Sequence, residues 1–294
     1  MSDAKGDVFM PNKKWRPLKW MSSCLYGHFV LWTHSLRTIC ASIFILLMTY
    51  MLAMSTGNSV DMRQIDVHMG ETLFSYANNG FNLIMTSIAL MVMMSDLPRC
   101  VSYQNYAIIR LSRTKWLLSL IVFGVGTVLV FTLLMLGFSA MFSLPFVTPG
   151  SGWSDLERLA ENTDYINEVH YISNYIKVLQ PMEACILAVV ILMLFWITME
   201  FVLLLFSLHG VSSVGVVFCV SLLLLNITIL FESLPGVKLP GHFATLGAIA
   251  SQVEERKLQH VVKVIVGYLL LDALLLALLM VRAKKMEIRF ASKE

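Results

Sequence analysis

The sequence predicts an all-α integral membrane protein with six transmembrane helices, both termini in the cytoplasm, and an interfacial amphipathic helix before the first span. Only 14% of the 294 residues are charged and 57% are hydrophobic, whereas a soluble domain carries about a quarter charged residues. The apolar residues fall in long runs, and Lys and Arg residues gather in alternate intervals between them. Both features are typical of a chain that crosses a membrane several times.

The apolar runs give the positions of the spans, since about 20 residues are needed to cross a bilayer. The predicted spans are 38–54, 73–94, 117–142, 182–206, 214–231 and 261–281. They form a transmembrane domain over 38–282, after a cytoplasmic segment, 1–37, and before a basic cytoplasmic tail, 283–294. The intervals 55–71 and 143–181 are predicted as loops on the opposite side of the membrane.

The basic residues predict the orientation, because short loops rich in Lys and Arg are retained in the cytoplasm. Six of them precede the first span, four lie in the interval 95–116, and five follow the last span, which makes 15 of the 22. The same cytoplasmic side receives only 5 of the 19 Asp and Glu residues. Both asymmetries indicate that the two termini are cytoplasmic.

The segment before the first span has the pattern of an amphipathic helix. From Pro17, which suits a first helical turn, apolar residues recur every three or four positions, as on one face of a helix. These residues are Leu18, Met21, Leu25, Phe29, Trp32 and Leu36. Because Lys and Trp residues flank the segment, we expect it to lie in the membrane surface. An ordinary cytoplasmic helix is the alternative.

The interval 95–116, with the sequence SDLPRCVSYQNYAIIRLSRTKW, separates the second and third predicted spans. Its middle, 101–111, has no Pro or Gly and can form a short helix that is partly apolar. Such a helix between two spans is suited to binding a soluble partner. The alternative is that its basic residues only retain the loop in the cytoplasm and contact lipid phosphates. The candidate contact residues are Arg99, Tyr103, Tyr106, Ile109, Arg110, Arg113 and Lys115.

Two carboxylic acids, Glu200 and Asp272, lie inside predicted spans. A charge there costs about 2.5–3.5 kcal/mol on insertion scales, so each side chain is expected to face protein or water. They are candidates for the polar lining of a transport route or for a lock between helices. The alternative is a protonated or hydrogen-bonded residue of the bundle. Three amides share the same two interpretations, namely Asn78, Asn82 and Asn226.

No catalytic motif is found in the chain. The phosphate-binding loop GxxxxGK[ST] and the zinc-protease motif HExxH are both missing from the sequence. The five cysteines are scattered, without the spacing of a metal site or a disulfide framework. We therefore predict no catalytic residue, no metal ligand and no cofactor on this chain.

The layout of spans and the segment YAIIRLSRTKWL (106–117) resemble the permease subunits of bacterial type-2 ABC exporters. In that family a similar Arg/Ser/Arg-rich turn leads from the coupling helix into the third span. The chain lacks the large external domain of the macrolide-exporter group. It is therefore similar to the compact members that export peptides, bacteriocins or drugs.

The resemblance implies the partners and the activity. Two separate ATPase subunits would bind ATP and magnesium and would contact the interval 95–116. A second permease chain, the same or related, would face this one in the bacterial plasma membrane. The cargo would be an amphipathic peptide, lipid or hydrophobic drug, and no nucleic acid is expected. A membrane sensor or immunity protein that binds an antimicrobial peptide without transport is the first alternative, and an uncharacterised membrane enzyme is the second.

Overall fold

The computed structural model describes residues 16–63, 66–94, 113–150, 152–154, 179–230 and 258–285. These ranges hold eight α-helices, two short strands and one 3₁₀ turn. In chain order they are α1 (Arg16–Thr33), α2 (Leu36–Arg63), β1 (Val67–His68), α3 (Met69–Asn78), α4 (Gly80–Met94), α5 (Arg113–Ser143), the 3₁₀ turn (Leu144–Phe146), β2 (Val147–Thr148), α6 (Pro181–Leu208), α7 (Ser212–Leu230) and α8 (Leu258–Lys285).

Four helices, α2, α5, α6 and α8, are long and apolar enough to cross a membrane. The bent pair of α3 and α4 makes a fifth crossing if it counts as one span. The described part of the chain is therefore that of a mainly helical, multi-pass membrane protein. The predicted fifth span, 214–231, corresponds to α7, whose apolar stretch Ser212–Leu224 is shorter than the other four.

Two helices depart from the predicted spans. Helix α2 continues to Arg63, into the interval 55–71 that we predicted as a loop, because that interval has no Pro and Gly57 is covered by the Phe146 ring. The second predicted span, 73–94, is two helices bent by 65° at Asn79. Hydropathy does not show such a break, because both halves are apolar enough to read as one run.

Helix α6 lies at the centre of the described bundle, where it packs against α3, α5, α7 and α8. Its membrane-length window is 61% buried, compared with 22% for α8 and 28% for α2. A helix that is apolar on all sides is expected in the interior, and Trp196, Ile191 and Leu192 of α6 are almost completely buried. Helices α2 and α8 instead expose leucine, isoleucine and valine side chains, as helices at the lipid boundary do.

The two short strands qualify the all-α prediction. Val67 pairs with Val147 and His68 with Thr148, in parallel. The segments before α3 and after α5 meet here at one end of the bundle, and the two-residue ladder satisfies backbone groups that the helices leave unpaired.

Helix α1 forms as predicted, but its buried stripe differs from the predicted face. Cys24, His28 and Trp32 are buried against α5, while Phe29 is exposed at the surface of the described chain. Trp32 and the partly buried Leu25 belong to the predicted face, so the buried stripe overlaps that face only in part.

Candidate functional site

The predicted partner-binding residues fall mostly outside the described residues. Arg99, Tyr103, Tyr106, Ile109 and Arg110 all lie in the range 95–112, outside what the structure describes. Arg113 and Lys115 are exposed in the first turn of α5.

The beginning of α5 and the end of α8 lie together. The Arg113 guanidinium Nη1 donates a hydrogen bond to the Lys284 carbonyl, 3.4 Å away. The last turn of α8 also carries Arg282 and Lys285. We call this end of the bundle the basic end, defined by Arg113, Lys115, Arg282, Lys284 and Lys285.

Helix α1 packs alongside the first turns of α5, near the basic end. Cys24 Sγ lies 3.6 Å from Ser119 Oγ and 3.6 Å from His28 Nε2. The His28 ring lies 5.5 Å from the Phe123 ring, and Trp32 meets the same phenyl group edge to face at 6.3 Å. The N-terminal helix and the segment that leads into α5 are therefore held next to each other.

The structure describes only one of the three asparagine side chains that were proposed to line a transport route. The Asn82 side chain is buried, and its Nδ2 donates to the Tyr76 carbonyl at 3.3 Å, which favours the hydrogen-bonding alternative for this residue. Asn78 lies in α3 and Asn226 in α7, but their side chains fall outside what the structure describes.

Glu200 and Asp272 lie on α6 and α8, two helices that pack against each other. Both side chains are more than nine-tenths buried, at 3% and 8% exposure, and the two carboxyl groups interact electrostatically. Thr198 Oγ1 donates a 2.6 Å hydrogen bond to Asp272 Oδ1. Tyr268, one turn before Asp272 on α8, also interacts with that carboxylate. We call Glu200, Asp272, Thr198 and Tyr268 the buried carboxyl cluster.

Glu200 reaches across to α5 as well. Its Oε1 occupies the space beside Gly124 where a side chain would otherwise lie, so that a Cβ at position 124 would overlap the carboxylate. Its Oε2 is buried and has no hydrogen-bond partner among the described residues. Helices α5 and α6 therefore meet at one incompletely bonded carboxyl group.

Sequence reasoning found the two acids but missed the residues that surround them. Thr198 and Gly124 are a common hydroxyl and a common glycine within apolar runs, and their roles depend on which helices become neighbours. A second buried polar pair was missed for the same reason: Trp196 Nε1 donates to Ser87 Oγ at 2.9 Å, between α6 and α4.

The chemistry of the buried carboxyl cluster is that of a polar site inside a membrane bundle. Within the described ranges, no group of three or more His, Cys, Asp or Glu side chains is placed to hold a metal ion. Buried acids in spans characterise routes for polar or charged groups and locks between helices. The fold and this site define a class: multi-pass helical membrane proteins with acidic residues in the bundle interior. Comparison with protein-family models, with curated proteins and with solved structures gives no match to the chain.

Proposed function

We propose that the protein is the permease subunit of a bacterial type-2 ABC exporter, with six spans and both termini in the cytoplasm. The bent pair α3–α4 and helix α7 would complete six crossings with the four long apolar helices. Two ATPase chains and a second permease chain would form the transporter in the plasma membrane. The cargo would be an amphipathic peptide, lipid or hydrophobic drug.

The observation that carries this proposal is the composition of the basic end. Helix α1, the first turn of α5 and the last turn of α8 are close neighbours there, and all three segments carry Lys or Arg. The positive-inside rule assigns that end to the cytoplasm. In the sequence, the interval 95–112, with Arg99 and Arg110, leads directly into the first turn of α5.

A partner that moves at this end would move whole helices. A membrane helix cannot unwind in lipid, because its backbone hydrogen bonds have no substitute there. A push on the segment before α5 therefore tilts α5, which contacts α6 through Gly124 and Glu200. The buried carboxyl cluster lies on this line of contacts, where it would form a polar part of the route that opens alternately to the two sides.

The docking assignment is tested by charge reversal with a purified complex in mild detergent. Arg110→Glu with Arg113→Glu should abolish co-purification of an ATPase subunit and stimulation of its ATPase activity. Arg113 also binds the Lys284 carbonyl, so Arg110→Glu with Lys115→Glu is the second pair, since it leaves that bond intact.

The control is Lys263→Glu, which reverses one exposed charge near the other end of α8. It should leave association and ATPase activity unchanged. If both double variants retain the ATPase partner and its stimulation, the docking assignment is wrong. A protein that binds peptide in isolation, with no nucleotide-hydrolysing partner, would support the sensor alternative.

The role of the buried carboxyl cluster has a separate test. Glu200→Gln preserves the size of the side chain and removes its charge. In an intact transporter it should keep ATPase association but lower the stimulation of ATPase activity by cargo. Unchanged transport and unchanged stability would leave Glu200 without a role in the route.

A further inference from the structure

The span that contains α3 and α4 is broken in a way that its own side chains stabilise. At Asn79 the backbone is extended, with φ −75° and ψ 125°. Asn79 Oδ1 accepts the Asn82 N–H at 3.1 Å, and Asn82 Nδ2 donates to the Tyr76 carbonyl at 3.3 Å. These bonds replace backbone bonds lost at the break, which would otherwise be costly in a membrane.

Such a break is suited to act as a hinge. Hinges are a few residues at the ends of elements that absorb a large change in φ and ψ. Here the bend is confined to one residue, and α3, only ten residues long, can rotate about it as a rigid unit. Helix α3 packs mainly against α6, then against α5, and less against α4, its own continuation.

The other end of α3 is held by a latch made of one buried carboxylate. Glu71, 2% exposed, accepts the His68 N–H through Oε2 at 3.3 Å and the Ser154 N–H through Oε1. The first bond lies within the N-terminal turn of α3, whereas the second joins α3 to a segment 83 residues away. Hydrogen bonds to a charged group are stronger than those between neutral groups.

Further contacts at this end join the segment of β1 and α3, the segment that follows α5, and the residues just before α6. His68 Nδ1 donates to the Thr148 carbonyl at 3.2 Å, beside the β1–β2 ladder. The indole Nε1 of Trp153 donates to the Leu179 carbonyl at 2.7 Å, and its ring meets Phe74 of α3 edge to face. While the latch is closed, Phe74 and Ala77 of α3 are buried.

We propose that α3 is a gate, which swings at Asn79 and is latched shut by the bond between Glu71 and Ser154. When the latch opens, α3 moves away from α6 and uncovers its inner face at the end of the bundle opposite the basic end. The movement follows from the break and the latch alone, so it does not depend on the ATP-driven function proposed above.

The test measures how fast a cysteine on the inner face of α3 reacts with a charged maleimide. Ala77→Cys is the reporter, in a background with Cys40→Ser and Cys100→Ser, and mass spectrometry reads each cysteine separately. Adding Glu71→Gln should raise the labelling rate at position 77 about ten-fold, as expected for loss of one charge-assisted hydrogen bond.

The matched control is Glu183→Gln. Glu183 occupies the equivalent place in α6, where its Oε2 accepts the Gln180 N–H at 3.1 Å, but the side chain is exposed. It should change the labelling rate at position 77 less than two-fold. Equal rates in the Glu71 and Glu183 variants would overturn the proposal.

Two further measurements separate a gate from general unfolding. Cys219, fully buried on α7, should remain unlabelled in the Glu71→Gln variant. Labelling of positions 77 and 219 together would mean that Glu71 stabilises the whole fold, and would also overturn the proposal.

Val67→Cys with Val147→Cys, partners in the ladder, allows a disulfide that holds the latch closed. Oxidation should slow labelling at position 77, and reduction should restore it; an unchanged rate counts against the gate.

Discussion

The carboxylate of Glu200 on α6 occupies the space that Gly124 on α5 leaves open. The contact joins two of the most buried helices of the bundle at a carboxyl side chain. A Cβ at position 124 would overlap Glu200 Oε1, so the buried carboxyl group would have to move. Position 124 therefore decides how closely α5 approaches the buried carboxyl cluster.

Gly124→Ala should destabilise the protein by about 1–3 kcal/mol, the cost typical of overpacking a core. The midpoint of thermal unfolding in mild detergent measures the effect. Gly126→Ala is the control, because a Cβ at position 126 meets nothing within 4 Å. Combining Gly124→Ala with Glu200→Ala should recover part of the loss, since the two changes share one contact. Independent, additive effects would contradict the close approach.

Thr198→Val should destabilise the protein by about 1–3 kcal/mol, because it leaves a buried carboxylate without its donor. The lost bond is the 2.6 Å contact from Thr198 Oγ1 to Asp272 Oδ1. Thr132→Val is the matched control: Thr132 is equally buried, and each hydroxyl lies about 3 Å from a carbonyl of its own helix, Leu194 for Thr198 and Val128 for Thr132, so the two variants differ in the Asp272 contact. Equal unfolding midpoints for the two variants would show that the Thr198–Asp272 bond contributes nothing to the fold.

Ser87→Ala should cost about 1–3 kcal/mol, since the buried Trp196 indole N–H then loses its acceptor. Ser221→Ala, at an exposed hydroxyl that bonds to the Val217 carbonyl of its own helix, should stay within about 0.5 kcal/mol. Thermal unfolding in the same detergent gives both values. A Ser87 variant as stable as the Ser221 variant would rule out the indole bond as a stabilising contact between α4 and α6.

Trp32→Phe should cost less than Trp196→Phe. Both indoles are buried, but Trp32 Nε1 has no hydrogen-bond partner in the part of the chain that the structure describes, whereas Trp196 Nε1 is bonded to Ser87. Each change removes similar apolar area, so the difference reports the hydrogen bond, about 0.5–1.5 kcal/mol. The midpoints of thermal unfolding of the two variants measure this difference. A larger loss of stability for Trp32→Phe than for Trp196→Phe would mean that the Trp32 indole N–H stabilises α1.

The four long apolar helices were predictable from hydropathy, and the structure confirms helices over the corresponding spans. Hydropathy works because every residue of a span faces lipid or protein and must be apolar on average. The break at Asn79 was missed, because both halves of the span are apolar enough to read as one run, and the amide bonds at the break appear only in the structure. The prediction of a loop over 55–71 was partly wrong, because α2 continues as far as Arg63.

The candidate site, too, was only partly predictable from the sequence. Glu200 and Asp272 were identified as exceptional from the sequence, because a charge in an apolar run is costly wherever the helix packs. Their closeness was not predictable, since 72 residues separate them and no local pattern specifies which helices become neighbours. The residues predicted to bind an ATPase lie mostly in 95–112, so their role stays a prediction.

By itself, the sequence determined that this is a membrane protein, where its long helices run, and which acids are out of place in them. Composition and periodicity are properties of short stretches of chain, and the bilayer acts on each stretch independently. The tertiary structure decided that Glu200 meets Gly124, that Thr198 bonds to Asp272, that α1 lies along α5, and that Glu71 bonds to Ser154. These contacts depend on side-chain shape and hydrogen bonding between distant segments, which become neighbours only when the helices assemble.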